Sequence, residues 1–376
     1  MHILFLIYHG FSEHSGISKK IKAQIKALNV LGHKVEVCTY AIEANKHRVR
    51  KINETILEDY GTSIIANIKK RICFQSIYQY AIDHSIDLVY VRSFHNANPF
   101  TINFFKRLKH SNIKCVMEIP TYPYDAEYVG FSTFARLGIQ VDKLFRRKLA
   151  KQMNAIITFS PDEVIFGQRT IRISNGVNFD EITLKKHIKK EKRIDLIGVA
   201  EVHYWHGFDR IINGMGEYYQ KPHEYEVYFH IVGGIGPSEM YDSQHAPGFY
   251  ELINKYQIEP YVIFHDQQFG THLDGLFAKA DFAIGSLARH RSHISKIKTL
   301  KNREYAARGI PFIYSETDDD FDHMPYILKA PADESAISIQ NIIDFNRNIQ
   351  ISPEEIRKSI LDLSWELQME KIIKSL

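Results

Sequence analysis

The chain has 376 residues, 44% of them hydrophobic and 24% charged, with a formal net charge of +4. That length predicts two or three domains, since single cores rarely grow past roughly 250–300 residues, and the composition excludes disorder, collagen and a disulfide-built scaffold. The three cysteines, Cys38, Cys73 and Cys115, lie far apart with neither a pairing framework nor a metal-ligand spacing, which predicts a reducing compartment.

The apolar segments are short, bounded by turns and mostly continuous rather than alternating. Buried parallel strands look like that, because helices cover both faces of their sheet. In the first half the expected strands are 3–8, 34–40, 87–91, 114–119 and 155–159; in the second, 195–200, 225–232, 262–265, 282–285 and 311–314. Between the first two, Ile17, Ile21, Ile25, Leu28 and Leu31 recur at helical spacing and Gly32 closes the segment. Strand–helix–strand rhythm occurs twice, so the fold class is α/β with two doubly wound, Rossmann-like domains. The expected division is residues 1–172, then 173–352, then a helix over 353–376 that starts at Pro353, Glu354 and Glu355 and returns to the first domain. The basic run 185–193 reads as a solvated surface.

Five places carry chemistry. The turn from Gly10 to Gly16 ends the first strand and delivers Ser15 and Gly16 to the start of a helix, where free N–H groups suit a phosphate. The segment from Ile171 to Val177 runs a strand into Asn175-Gly176, a tight-turn pair. The loop around His203, Trp205, His206 and Gly207 and the glycine turn Val232–Gly236, which holds Gly234, follow the next two strands, at the strand ends where open α/β sheets bind ligands. The fifth place, 298–313, reads as a short helix closed by Gly309, with Lys301 near its amino end and Glu304 one turn on. A cation beside free N–H groups can neutralise a diphosphate, and a carboxylate can accept two hydroxyl protons, as from a ribose. Alone, Lys301 and Glu304 are equally consistent with a surface helix pair.

In order along nearly the whole chain, this set resembles the retaining glycosyltransferases of the GT-B fold, especially family 4. The resemblance rests on the first-strand glycine turn, the Asn175-Gly176 junction, a His206-Gly207 loop where the family has Lys-Gly or His-Gly, the Val232–Gly236 turn, and Glu-x-x-Ala-x-Gly-x-Pro from Glu304 to Pro311. It implies two domains facing across a cleft, no metal and no cofactor beyond a nucleoside-diphosphate sugar used as substrate. By position Glu304 matches the second glutamate of the family's Glu-x7-Glu pair and would hold the ribose, but position 296 is Lys296, so the first member is missing. His206 stands in place of the family's lysine, and Ala200-Glu201-Val202 offers no counterpart to its arginine. Lys301, with Arg289, Arg291 or Lys298, is expected to supply that charge. Catalytic candidates are thus Lys301, Glu304 and His206. Donor-binding candidates are Ser15, Gly16, Gly234, Asp266, Gln267, Arg291 and Arg303, the nucleobase being placed at 265–267.

On the acceptor side the loop 118–127 offers Glu118, Tyr122, Asp125 and Glu127, although a proline-stabilised turn with solvated acids explains it equally well. Residues 1–175 hold 25 Lys and Arg against 14 Asp and Glu, and the rest 23 against 30. The basic first half predicts an anionic partner. Segments 100–110 and 131–151 set Phe104, Phe105, Leu137, Val141 and Leu144 among lysines and arginines. Such helices lie either on an anionic membrane or, apolar side inward, on the core. No stretch approaches the ~20 apolar residues of a membrane span, and the apolar start is too short for a signal peptide. The expectation is a cytoplasmic protein, with the inner membrane face as its one peripheral contact. The pairs His203/His206 and His290/His293 lack carboxylate or cysteine partners and sit among cations, which argues against a metal.

The function expected is transfer of a sugar from a nucleotide sugar to a saccharide or lipid-linked acceptor, in bacterial surface-polysaccharide assembly. A sugar-nucleotide 2-epimerase of the same fold, a phosphorylase and a non-catalytic nucleotide- or polyanion-binding protein stay open; nucleic acid is the least favoured partner.

Overall fold

Alternate residues of each parallel strand are apolar on both sides, and the structure shows why. The computed structural model describes residues 1–12, 15–125, 133–186, 191–243 and 246–376. It divides into two units, Met1–Ser174 with Trp365–Leu376, and Asn175–Ser364.

In the first unit β1 (His2–Leu6), α1 (Gly16–Val30), β2 (Lys34–Ile42), β3 (Arg48–Ile52), β4 (Thr55–Asp59), α2 (Ile65–Ile72), α3 (Gln75–Asp83), β5 (Leu88–Arg92), α4 (Pro99–His110), β6 (Lys114–Ile119), α5 (Thr133–Ala150), β7 (Ala155–Thr158), β8 (Val164–Ile165) and β9 (Gln168–Arg172) follow one another. The sheet order is β4-β3-β2-β1-β5-β6-β7-β9-β8, parallel from β2 to β9. Leu4, Leu6, Val89, Val91, Cys115 and Met117 face a core shared with α3, α4 and α5. Their neighbours Ile3, Phe5, Leu88, Tyr90 and Val116 face another, shared with α1 and the chain's last helix.

The second unit holds β10 (Arg193–Val199), α6 (Phe208–Tyr219), β11 (Glu226–Val232), α7 (Pro237–Tyr241), β12 (Asp242–Ser243), β13 (Ala246–Pro247), α8 (Phe249–Tyr256), β14 (Val262–His265), α9 (Gly270–Lys279), β15 (Phe282–Ile284), α10 (Leu300–Ala307), β16 (Phe312–Tyr314), β17 (Ile327–Lys329), α11 (Ile339–Asn348) and α12 (Pro353–Lys358). Its parallel sheet runs β14-β11-β10-β15-β16-β17. Again one strand face meets α6, α8 and α11 and the other meets α9, α10 and α12. The last helix, α13 (Trp365–Lys374), belongs to the first unit.

All ten expected strands form, with ends shifted by a residue or two. Four expectations are corrected. The antiparallel strands β3, β4 and β8 were not expected: β3 and β4 carry charged residues and β8 is only two residues long, so none has a continuous apolar run. Helix α1 buries Ile21 and Leu28 and packs Ile25 and Leu31 against the core as expected, but leaves Ile17 exposed and adds Ser18, Lys20, Gln24 and Ala27 to the inward face. Asn175-Gly176 makes no tight turn; neither residue has a positive φ, and the Asn175 amide donates to the Lys298 carbonyl (2.6 Å). The single helix expected after Ser352 is two helices, broken by a 3-10 turn over Leu361–Leu363.

Candidate active site

At the carboxyl ends of β10, β15 and β16 three loops are tied into one assembly. Leu287 N donates to the His206 carbonyl (2.9 Å). Gly207 sits at φ 68°, and a Cβ there would lie 2.9 Å from Leu287, so glycine permits both the left-handed turn and the close approach. Arg291 reinforces the joint by bonding Asp209 (2.7 and 3.0 Å), Glu334 and the Tyr204 carbonyl (2.8 Å). Ser315 N donates to the Ser286 carbonyl (3.0 Å), which sets the loop after β16 beside the loop after β15.

Helix α10 starts at this junction. Thr299 caps it, its hydroxyl accepting from Asn302 N (3.4 Å). Arg303 is 1% exposed and bonds Asp318 (3.0 Å for one contact) and Asp320, while the Asn302 amide donates to Asp318 (3.1 Å). Lys298 and Lys296 pair with Asp320 (2.8 Å) and Asp319 (2.7 Å). These contacts hold the 315–320 loop against the first turn of α10.

Inside the assembly Lys301 Nζ, both carboxylate oxygens of Glu316, Ser286 Oγ and Asn302 Oδ1 are buried without a hydrogen-bond partner, as are Arg289 Nε and His290 Nδ1 in the adjoining turn. Ser286 and Asn302 are fully buried and Glu316 is 2% exposed, whereas Lys301 is half-buried with its ammonium enclosed. Burial, then Arg289, pushes the Lys301 pKa down, with Glu316 opposing. Burial likewise pushes the Glu316 carboxyl up, against its own backbone N–H, Arg289 and Lys301. His206 is 6% exposed, and its pKa falls well below the usual range through burial, then Lys301 and Arg289. Its Nδ1 accepts from His203 N (3.0 Å), so the neutral ring keeps its proton on Nε2 and can donate from there.

The structure thus brings Lys301 and His206 together, with Arg289 in electrostatic reach of both. Glu304 lies one turn along, its Oε1 accepting from Arg308 (2.9 and 3.1 Å), which also bonds Asp274. Gly234 is beside Gln267: a Cβ on Gly234 would lie 3.4 Å from that amide. Asp266 and Gln267 are exposed. Arg303 and Arg291 are corrected as donor ligands, because carboxylates already saturate them and leave no open face. Ser286, Asn302 and Glu316 were not singled out from the sequence; Glu316 lies two residues after the end of β16, and that position was the available signal.

In the first unit Ser15 caps α1, accepting from Ser18 N (3.3 Å), and Gly16 is its exposed first residue. Glu118 is corrected as an acceptor contact. At 1% exposure it accepts from Gln24, Tyr90 and Arg92 (2.7 Å each) and pairs with Lys20 (3.2 Å), which holds its pKa down at about 2 against burial. Lys20 and Gln24 therefore define the buried face of α1. Asp125 is engaged by Arg146 (2.7 and 3.3 Å) and Lys143 (3.6 Å). Tyr122 sits half-buried, edge-on to Phe166. Glu127 lies outside the described residues.

Among the described residues no group of histidine, cysteine or acidic side chains is arranged to hold a metal. No helix among them is long and apolar enough to cross a membrane.

No family model matches the sequence, and no curated protein matches it either. Solved structures do. Sucrose-phosphate synthase from Thermosynechococcus elongatus is similar with a TM-score of 0.66 at 16% identity, over 99% of this chain and 97% of that one. Anabaena HepE in complex with UDP-glucose gives 0.59 at 13% identity, covering 100% of both chains. A putative UDP-N-acetylglucosamine 2-epimerase from Listeria monocytogenes gives 0.55 at 9%, over 99% and 94%. The chain has the GT-B fold, with two Rossmann-like units.

Proposed function

We propose that this protein is a glycosyltransferase that moves a sugar, with retention, from a nucleoside-diphosphate sugar to a saccharide or lipid-linked acceptor. One observation carries the reading: an enclosed, unpaired lysine ammonium, Lys301, at the first turn of α10, beside Arg289 and neutral His206 at the carboxyl ends of parallel strands. The difficulty of the reaction is charge developing on the departing diphosphate. Fixed cations and helix N–H groups aimed at those oxygens stabilise it most where water is excluded. A buried ammonium without a counter-ion in contact is costly to hold, and an anion entering beside it removes that cost. His206 Nε2 can add a neutral donor. The departing phosphate takes the acceptor proton, so no side chain serves as an obligatory base and no metal is required. Several proteins of this fold have UDP-sugars or UDP in their structures, which favours a uridine nucleotide.

Helix α5 supports an anionic membrane surface as the place where the acceptor is met. Its Leu137, Val141 and Leu144 are 63%, 37% and 73% exposed, so this stripe is not the core face; Ile139, Asp142 and Leu149 are. Arg136, Lys143, Arg147 and Lys148 are exposed around it. Surface-polysaccharide assembly fits such a site.

The test is thermal shift with UDP, GDP, ADP and CMP, followed by incubation with the sugar nucleotides of whichever binds. Free nucleoside diphosphate is expected, and Lys301→Ala should abolish its release or raise the donor KM at least tenfold. An isomerised nucleotide sugar would establish the epimerase instead, and binding without turnover a sensor.

A further inference from the structure

The four orphaned side chains around Glu316 have a chemistry that narrows what can sit among them. As a carboxylate Glu316 can only accept, as can Asn302 Oδ1; as an ammonium Lys301 can only donate, and the Ser286 hydroxyl can do either. A bare anion would meet the Glu316 carboxylate; a cation would meet Lys301 and Arg289. A neutral polyol satisfies every member, because each hydroxyl both donates and accepts. Two hydroxyls on adjacent carbons can each donate to one oxygen of a single carboxylate.

We infer that Glu316, with Ser286 and Asn302, reads the hydroxyls of the transferred sugar, the role for which Lys296 leaves no carboxylate at the family's usual position. This inference rests on the glycosyltransferase reading above and deepens it. The placement follows from the loops. Ser286 is bonded through its carbonyl to Ser315 N, one residue before Glu316 (3.0 Å). Lys301, one turn before Glu304 on α10, feels Glu316 electrostatically without a hydrogen bond to it. Glu316 would then take the sugar while Lys301 takes the adjoining phosphate. Lys301 is half-buried where the other three are closed over, so a change in its flexible side chain is the least costly way to admit the sugar.

The experiment is calorimetric titration of the full chain with nucleoside diphosphate, with the matching nucleotide sugar, and with deoxy analogues of that sugar. Wild type should bind the intact sugar nucleotide more tightly than the diphosphate alone, and each critical deoxy analogue ten- to a hundredfold less tightly. Glu316→Gln should bind the diphosphate within about twofold of wild type, lose most of the gain from the sugar, and no longer distinguish the deoxy analogue. If Glu316→Gln keeps that gain and that discrimination, water satisfies the orphaned atoms and the inference falls while the transferase reading stands. If wild type binds no nucleotide at all, the transferase reading falls and takes the inference with it. Ser286→Ala, which keeps the carboxylate, is the second variant should Glu316→Gln not fold; discrimination unchanged in it counts against the inference.

Discussion

Two glutamates are buried beside parallel strands, one in each unit, and they live in opposite surroundings. Glu118 accepts from an amide, a phenol and a guanidinium and pairs with an ammonium; Glu316 has no partner for either oxygen. Both lie near the carboxyl end of a strand, where this class of fold places its ligands. The difference is therefore in saturation rather than position. A carboxylate whose acceptor sites are filled by its own protein holds the fold together, whereas one left unsatisfied at an energetic cost is poised for something that arrives later. The same contrast separates Arg303, neutralised by Asp318 and Asp320, from Lys301 two residues earlier, whose ammonium bonds nothing.

The sharpest way to break this contrast is to remove each carboxylate. Glu118→Ala strands Lys20 and Arg92 in the interior and should cost about 3–5 kcal/mol in urea unfolding. Equal losses from Glu118→Ala and Glu316→Gln would erase the distinction. Arg303→Ala leaves the buried Asp318 without its cation and Asp320 with Lys298, and should cost about 3 kcal/mol. Because that arginine pins the 315–320 loop, nucleotide-sugar binding should weaken with it.

Acid titration of wild type compared with Glu118→Gln isolates the Glu118 site, because Glu36 and Glu334 are held down at about 2 as well. The Glu118 pKa is held down at about 2 in the folded protein, so its stabilisation is complete above the ordinary carboxyl range, near pH 4.5, and is lost as pH falls from there toward 2. The loss should be on the order of 3 kcal/mol, absent in Glu118→Gln, and visible in the pH dependence of urea unfolding. Lys20 acts oppositely. Burial outweighs its one carboxylate partner and lowers its pKa to about 8, so the cost of burying its charge fades as pH rises from about 8 toward 10.5. The two partners differ because Glu118 has four donors and Lys20 one acceptor. The smallest effect belongs to Glu316→Gln, which should change stability by less than about 1 kcal/mol or raise it, since it removes an unsatisfied buried acid.

Much of this fold was legible in one dimension. Continuous apolar runs marked ten of the parallel strands, because burial on both sheet faces needs no polar side; β9 and β17, with polar or few residues, were not marked. Helix α10 was legible from Lys301 to Gly309, since glycine at φ 73° is a local requirement. What could not be read was which polar residues find partners. Glu118 and Asp125 looked like site acids, and Arg291 and Arg303 like ligands for phosphate. Their partners lie elsewhere in the sequence: Lys20 is 98 positions before Glu118, and Asp209 is 82 before Arg291. Glu316 went unnoticed for the converse reason, as nothing beside it in sequence shows that it stays unpaired.

The sequence by itself determined the class of fold, the order of its strands' apolar segments and the short helix that carries Lys301, all consequences of local periodicity and backbone preference. Tertiary structure alone decided which charges find partners within the protein and which do not, because hydrogen-bond saturation depends on groups brought together from distant parts of the chain.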